Sequence, residues 1–396
     1  MKPTLLFYCQ HSPDVDHVFR SWALADALSS IFDVVLVSPG ERPAGMKPPS
    51  NIEVVMLPAH VHTTAVTSMT RRDGRLFPGA RSTRARLLLD TFFLREPAVV
   101  LVERFPFGHA TFTHEILPML EYAAAARRRP VVVCSLPDPL EGAGRNQRHE
   151  DRARQLADDF FDAVLVHTDP RLTTLADTFK PRSALRLPVI YTGLVPSRPS
   201  LARHTAKRTG IIVSAEDGRA GGPLFRAAIE AHALCPTPDR QPMRIVTGPL
   251  LPDDEDAALR SRAREYPDVT IQRSVPALRP LLTSAALSIS QCGHHAALDV
   301  LQARVPALVV PRADGREDDE RARASKLEAL GALRVLDPDV LTGPRLAIEI
   351  LAARTFAPSP LTLNLDGADE TARVVTRLWI AGDPAAPLYG VGFVKH

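Results

Sequence analysis

Leu287-Ser288-Ile289-Ser290-Gln291-Cys292-Gly293-His294-His295-Ala296-Ala297-Leu298-Asp299-Val300-Leu301 is the stretch of this 396-residue chain that decides its architecture. A short apolar run reads as a strand, a glycine breaks it, and an apolar helical pattern follows. Strand, tight turn and helix in that order make up the repeating unit of a parallel α/β sheet. The start of such a helix presents backbone N–H groups at the positive end of its dipole, which makes an anion site. Gly293 would let a diphosphate approach the backbone, and His294 and His295 add imidazole donors. Asp299, about one turn further in, could accept the two hydroxyls of a ribose. The plainer alternative is a strand–helix turn carrying a solvated histidine pair.

The same alternation runs outward in both directions. Leu5-Leu6-Phe7-Tyr8-Cys9, Asp33-Val34-Val35-Leu36-Val37, Ala98-Val99-Val100-Leu101-Val102, Pro130-Val131-Val132-Val133-Cys134 and Ala163-Val164-Leu165-Val166 are short runs, most of them rich in β-branched residues. They are apolar on both faces, as strands covered by helices on both sides must be. Helical patterns separate them, over Glu115 to Arg127 and Arg148 to Phe160 for example. Val195-Pro196-Ser197-Arg198-Pro199-Ser200 interrupts the pattern and reads as a linker. The alternation then restarts with Ile211-Ile212-Val213, Arg244-Ile245-Val246, Val269-Thr270-Ile271 and Ala307-Leu308-Val309-Val310. The expected fold class is α/β, with two Rossmann-like doubly wound domains at 1–195 and 210–360 and a helix-bearing tail at 361–396. Two such domains are expected to face each other across a cleft, where ligands bind at the carboxyl ends of the strands.

Composition narrows the class. A chain that is 45% hydrophobic and 23% charged has the balance of a globular protein, which excludes wholesale disorder. A net charge of +3 is too mild to imply nucleic acid as a partner. Four cysteines lie far apart with no C-x-x-C, which excludes a zinc cluster or a thioredoxin-type pair. They read as buried free thiols in a reducing compartment. The apolar start is shorter than a signal peptide requires, and no run reaches the roughly 18 apolar residues of a membrane span. A cytoplasmic location is expected, with peripheral membrane association left open and the oligomeric state not encoded.

What is missing narrows it further. Cys9-Gln10-His11-Ser12-Pro13-Asp14 stands where a dinucleotide fold would carry G-x-G-x-x-G. There is no P-loop, no G-x-S-x-G nucleophile elbow and no H-E-x-x-H. The acidic run Asp253 to Asp256 follows Pro252 and reads as the start of a helix, where carboxylates complement the dipole.

Three further pieces complete the candidates. Val309-Val310-Pro311 leads into Glu317-Asp318-Asp319-Glu320, acids that could grip sugar hydroxyls or simply favour a helix start. Val213-Ser214-Ala215-Glu216-Asp217-Gly218 is a polar, glycine-bearing loop that could hold a phosphate through backbone amides. His11 and His17 follow the first strand, and an imidazole there titrates near neutrality and could serve as a general base.

Together these pieces resemble the MurG-like glycosyltransferases of the GT-B fold. The resemblance rests on Phe7-Tyr8-Cys9-Gln10-His11-Ser12, His17-Val18-Phe19, Glu103-Arg104-Phe105-Pro106-Phe107-Gly108, and Ser290-Gln291-Cys292-Gly293 through Val309-Val310-Pro311. It implies that a nucleotide sugar binds the second domain and an acceptor the first. It makes His17 the catalytic base, with Asp16 beside it, and Asp299 the ribose ligand. Asp319 and Glu320 fall on the pair that contacts the donor sugar, and Ser274 and Val275 on the backbone that meets the base. Ser214, Gly218, Gln291, Gly293, His294 and His295 complete the donor side. His11, Asp14, Glu103 and Phe105 fall on the acceptor side. The family inverts the anomeric centre without a covalent intermediate, with no cofactor and no essential metal expected. The helix over Asp366 to Ile380 resembles the terminal helix that crosses back to the first domain.

Two departures bear on substrate. The loop before His17 reads Ser12-Pro13-Asp14-Val15-Asp16 in place of glycines, and two carboxylates would repel a phosphorylated acceptor. A neutral or cationic small molecule, such as an amino-sugar or aminocyclitol-type natural product, is expected instead. Glu320 replaces a glutamine. Two other readings stay open at this point, a nucleotide-sugar hydrolase of the same architecture and a degenerate binding or scaffold protein.

Overall fold

The computed structural model describes residues 2–9, 15–39, 48–60, 69–72, 75–78, 80–108, 112–137, 146–196, 207–215, 218–236, 240–275, 278–312, 318–359 and 363–382. The chain forms two units, Met1–Arg198 together with Leu363–His396, and Pro199–Thr362.

The first unit opens with β1 (Thr4–Tyr8), α1 (Val15–Ser29), β2 (Asp33–Pro39) and β3 (Glu53–Leu57). A small antiparallel sheet of β4 (Ala59–His60), β5 (Met69–Arg72) and β6 (Arg75–Pro78) precedes α2 (Ala80–Arg95). There follow β7 (Val99–Glu103), α3 (Thr113–Ala125), β8 (Val131–Leu136), α4 (Gln147–Phe160), β9 (Ala163–Val166), α5 (Leu175–Thr178) and β10 (Val189–Tyr191). The seven long-sheet strands are parallel in the order β10-β9-β8-β7-β1-β2-β3.

The strand pleat explains why β1 is apolar throughout. Leu6 and Tyr8 enter a core with Leu88, Phe92, Ile116 and Met119 of α2 and α3. Leu5 and Phe7 enter the core on the other face, with Trp22, Ala25 and Leu28 of α1. Each large side chain buried in this way contributes roughly 1.5–3 kcal/mol.

The second unit contains β11 (Ile211–Ser214), α6 (Gly222–Leu234), β12 (Met243–Val246), α7 (Asp253–Ala263), β13 (Val269–Gln272) and α8 (Arg279–Ser284). It continues with β14 (Leu287–Ser290), α9 (His294–Ala303), β15 (Ala307–Val309), α10 (Asp318–Ala329), β16 (Arg334–Val335) and α11 (Gly343–Ala353). Its sheet is parallel, in the order β13-β12-β11-β14-β15-β16. Ile211, Val213, Ile245, Leu287 and Ile289 share a core with Leu224 and Phe225 of α6 and Leu346 and Ile350 of α11. Asp253–Asp256 form the first turn of α7, and Asp256 pairs with Arg260 at 2.7 Å.

The last helix, α12 (Gly367–Ala381), belongs to the first unit, where Val374, Val375 and Leu378 join the α1 face of the core. Trp379 meets Phe32 edge-on at 5.7 Å. The segment leading into α12 is stitched to the end of the first sheet. The Leu194 amide donates to the Asn364 carbonyl at 2.8 Å, and the Asn364 amide donates to Asp169 Oδ2 at 3.0 Å. Beneath it, His167 meets the Ser135 hydroxyl at 2.7 Å and that of Thr192 at 2.8 Å. No helix among the described residues is long and apolar enough to cross a membrane. All four cysteines are buried and outside any disulfide.

Candidate functional site

In a doubly wound sheet the chain leaves two adjacent central strands in opposite directions. The loops at that reversal part, and a crevice opens at the carboxyl edge. Each unit has one such reversal.

In the second unit the reversal lies between β11 and β14, where Ser214 pairs with Ser290 at the strand ends. Both serines are buried. The loop after β11 passes through Gly218, whose φ of +90° is left-handed. A β-carbon there would strike the Thr247 carbonyl, so only glycine fits. The loop ends at Gly221, which starts α6. Glu216 and Asp217 lie outside the described residues.

After β14, the Gln291 side-chain amide donates to the Ala220 carbonyl at 3.1 Å and joins the two loops at the reversal. Gly293 caps α9 with an extended backbone, and its carbonyl accepts from the Ala297 amide at 3.0 Å. α9 therefore begins at His294, as the glycine turn requires, and its first-turn amides are the anion-binding donors of a helix start. The side chains of His294 and His295 lie outside the described residues. Asp299 stands on the second turn of α9 and is half-buried. Arg323 of α10 fastens this loop from below, its Nη1 donating to the Cys292 carbonyl at 2.6 Å.

Ser274 and Val275 follow β13 at the same carboxyl edge, Ser274 exposed and Val275 half-buried. Glu320, on the first turn of α10, is 1% exposed. Its Oε2 accepts from the Arg312 amide at 3.1 Å, and its Oε1 lies 3.5 Å from Arg312 Nε. Here its carboxylate closes the loop between β15 and α10. The side chain of Asp319 lies outside the described residues.

In the first unit the reversal lies between β1 and β7, with Leu6 beside Val100. His11 and Asp14 lie outside the described residues. Asp16 and His17 occupy the first turn of α1, and their side chains lie outside the described residues. Glu103 ends β7 and is fully buried, with Arg20 Nη2 at 3.3 Å from its Oε1. Phe105 is buried against Phe161 at a ring distance of 6.3 Å. Between them, Arg104 holds a left-handed φ of +61°, and the Gly108 amide donates to its carbonyl at 2.6 Å. A side chain in that conformation costs of order 1–3 kcal/mol and is commonest where a site dictates the backbone. Among the described residues no three His, Cys, Asp or Glu side chains gather closely enough to hold a metal ion.

Residues 225–373 match the family model described as the glycosyltransferase family 28 C-terminal domain. This part of the chain is thus similar to a glycosyltransferase domain. The matched residues run from within α6 into the first half of α12 and include Gln291, Gly293, Asp299 and Glu320. The whole chain shares its fold with MurG of Acinetobacter baumannii, at 15% identity over 97% of this chain and 97% of that one, with a TM-score of 0.56. It is similar also to CalG4, the calicheamicin glycosyltransferase, at 16% identity over 97% and 96%, with a TM-score of 0.57. A UDP-glucosyltransferase from Polygonum tinctorium aligns at 14% identity over 96% and 99%, with a TM-score of 0.61. No curated protein sequence matches the chain.

Four partners were not legible in the sequence. They are Arg20 on Glu103, Ala220 on Gln291, Arg323 on Cys292 and Arg312 on Glu320. Each joins separate loops or elements, and the two outermost lie 83 and 71 residues from their mates. The left-handed Gly218 had a local signal, a glycine in the polar loop that follows Ser214.

Proposed function

We propose that the protein is an inverting glycosyltransferase that moves a sugar from a nucleotide diphosphate sugar, a UDP-sugar, to a neutral or cationic small molecule of a natural-product pathway. The observation that carries this reading is the reversal between β11 and β14. There a glycine-dependent loop is tied to the start of α9 by Gln291, which lies among the residues that match the glycosyltransferase family 28 C-terminal domain. The likeness of fold to CalG4 supports a natural-product acceptor, and the carboxylates of Asp14 and Asp16 support one without phosphate.

In this mechanism His17 takes the proton from the acceptor hydroxyl or amine. The acceptor atom attacks the anomeric carbon in line, and the bond from that carbon to the diphosphate oxygen breaks. The nucleoside diphosphate departs with the bonding electrons, and the configuration inverts. The first-turn amides of α9 stabilise the charge that develops on the leaving group. Asp299 holds the ribose, Asp319 and Glu320 address the sugar, and Ser274 and Val275 flank the base.

The test is transfer by the whole chain from UDP-glucose and dTDP-glucose to a panel of phenolic and amine acceptors, with the new linkage read by NMR. A β-linkage from the α-configured donor, lost in His17→Ala, is expected. A retained configuration, or full turnover by His17→Ala, defeats the mechanism. Release of free sugar irrespective of acceptor assigns the protein to hydrolysis instead.

A further inference from the structure

We infer that the exposed aromatic face at the ends of α2 and α3 is a docking surface for a second copy of this chain. Phe93 is 53% exposed, Leu94 76% and Tyr122 52%. The Phe93 and Tyr122 rings meet edge-on at 5.1 Å, so the two helices present their exposed rings as one apolar surface. Ala125, three residues beyond Tyr122 and so on the same side of α3, is exposed too. Both helices bury their other large residues, Leu88 and Phe92 of α2 and Ile116, Met119 and Leu120 of α3. Among the described residues no other phenylalanine, tyrosine or tryptophan is exposed. Single apolar residues are ordinary on a surface, whereas a cluster marks an interaction site. Phenylalanine and tyrosine are also side chains that interfaces favour.

The charges around this face decide the partner. Arg84 and Glu115 are buried and hold each other, Arg95 holds Glu53, and Arg129 holds Asp162. The remaining described charges of the two helices and their ends are exposed and in no ion pair. They are Arg86, Arg127 and Arg128 of one sign and Asp90, Glu96 and Glu121 of the other. Three of each sign leave the rim neutral. An anionic membrane selects a surface of net positive charge, and a charged peptide selects a surface of the opposite sign. A rim with both signs in equal number is complementary to itself. In a two-fold contact residue i meets residue j and j meets i, so an arginine of one copy can meet a carboxylate of the other.

The face also lies where a second copy leaves the candidate site open. α2 ends at Arg95, shortly before β7 begins at Val99, and α3 ends at Ala125, shortly before β8 begins at Val131. The aromatic cluster is therefore at the amino ends of these strands, whereas the reversal of this sheet opens at their carboxyl ends. A stable contact of ordinary size buries roughly 800 Å² on each partner, with aromatic anchors at its centre and charges at its rim. Phe93, Leu94 and Tyr122 supply that centre, and the six unpaired charges supply that rim.

The experiment is sedimentation-velocity ultracentrifugation of the whole chain over a roughly hundredfold range of concentration. The wild type is expected to associate reversibly to a dimer. Phe93→Ser combined with Tyr122→Ser is expected to stay monomeric and to keep the wild-type circular-dichroism spectrum, because both side chains are about half exposed. Asp90→Arg and Arg86→Asp each unbalance the rim and are expected to weaken self-association about tenfold. An equimolar mixture of those two variants is expected to recover it. A wild type that remains monomeric, a dimer that survives the double serine variant, or a mixture no tighter than either charge variant alone each overturns the proposal. So does binding of the wild type to phosphatidylglycerol vesicles that the double serine variant loses, which assigns the face to a membrane instead.

Discussion

The Gln291 side-chain amide donates to the Ala220 carbonyl at 3.1 Å and ties the loop after β14 to the loop after β11. The two residues lie 71 positions apart in the sequence. The bond therefore braces the two backbone segments that would share a diphosphate. Gln291→Ala is expected to weaken nucleotide binding about tenfold, the equivalent of one net hydrogen bond of about 1.4 kcal/mol. Calorimetric titration with UDP reads this, and unchanged affinity would show that the tie is irrelevant to binding.

Gly218 makes a sharper demand. Its φ of +90° and the Thr247 carbonyl against its α-carbon leave no room for a side chain. Gly218→Ala is expected to destabilise the protein by about 2–4 kcal/mol, from strain and collision together. Chemical denaturation measures it. A loss below about 0.5 kcal/mol, the range of ordinary surface changes, would show that the loop relaxes at no cost.

A second buried pair tests the first unit. Arg84 grips Glu115 with two nitrogens at 2.7 and 2.8 Å, and the Tyr8 hydroxyl donates to the same carboxylate. Burial, then the negative charge of Glu115, pushes the Tyr8 phenol well above its ordinary range, so it stays a donor. Glu115→Ala strands a buried guanidinium and is expected to cost about 3–5 kcal/mol, whereas Arg84→Met with Glu115→Leu recovers most of it. Equal losses in the single and double variants would show that volume, not charge, is what matters.

Stability should depend on pH through His232. It lies on α6, is 1% exposed, and has Nε2 at 3.2 Å from Asp268 Oδ2. Burial lowers its pKa below the ordinary 6.5, against the opposing pull of Asp268. The folded state thus takes up the proton less readily than the unfolded state. Its contribution is complete above about pH 6.5 and is lost as pH falls through the folded value. The Tm is expected to decline between pH 7 and pH 5, and less steeply in His232→Gln. An identical slope in the variant would assign the decline to other groups.

Much of the fold was legible because its signals are local. Leu5 to Cys9 is apolar at every position, and the strand it forms buries Leu5 and Phe7 on one face and Leu6 and Tyr8 on the other. The glycine of Cys292-Gly293-His294 does cap a helix. The region of Ala59 to Pro78, which forms the small antiparallel sheet, and α2 after it carried no equally clear period, since α2 mixes arginines through its apolar positions. The site was legible in part for the same reason. Glycines and helix starts announce themselves, whereas side-chain partnerships do not. Nothing near Glu103 in the sequence names Arg20, and nothing near Glu320 distinguishes a sugar ligand from a residue that closes its own loop on Arg312.

The most direct test of nucleotide-sugar chemistry needs no acceptor. Calorimetric titration of the whole chain with UDP and dTDP, beside UMP and inorganic phosphate, should give saturable one-to-one binding of a nucleoside diphosphate. Asp299→Ala should weaken that binding at least tenfold, as loss of a charged hydrogen bond to ribose requires. A ligand at 100 times its Kd should also stabilise the fold by about 2.7 kcal/mol. Binding of neither diphosphate, or binding indifferent to Asp299, would mean that the crevice at the end of β11 and β14 is not a nucleotide-sugar site.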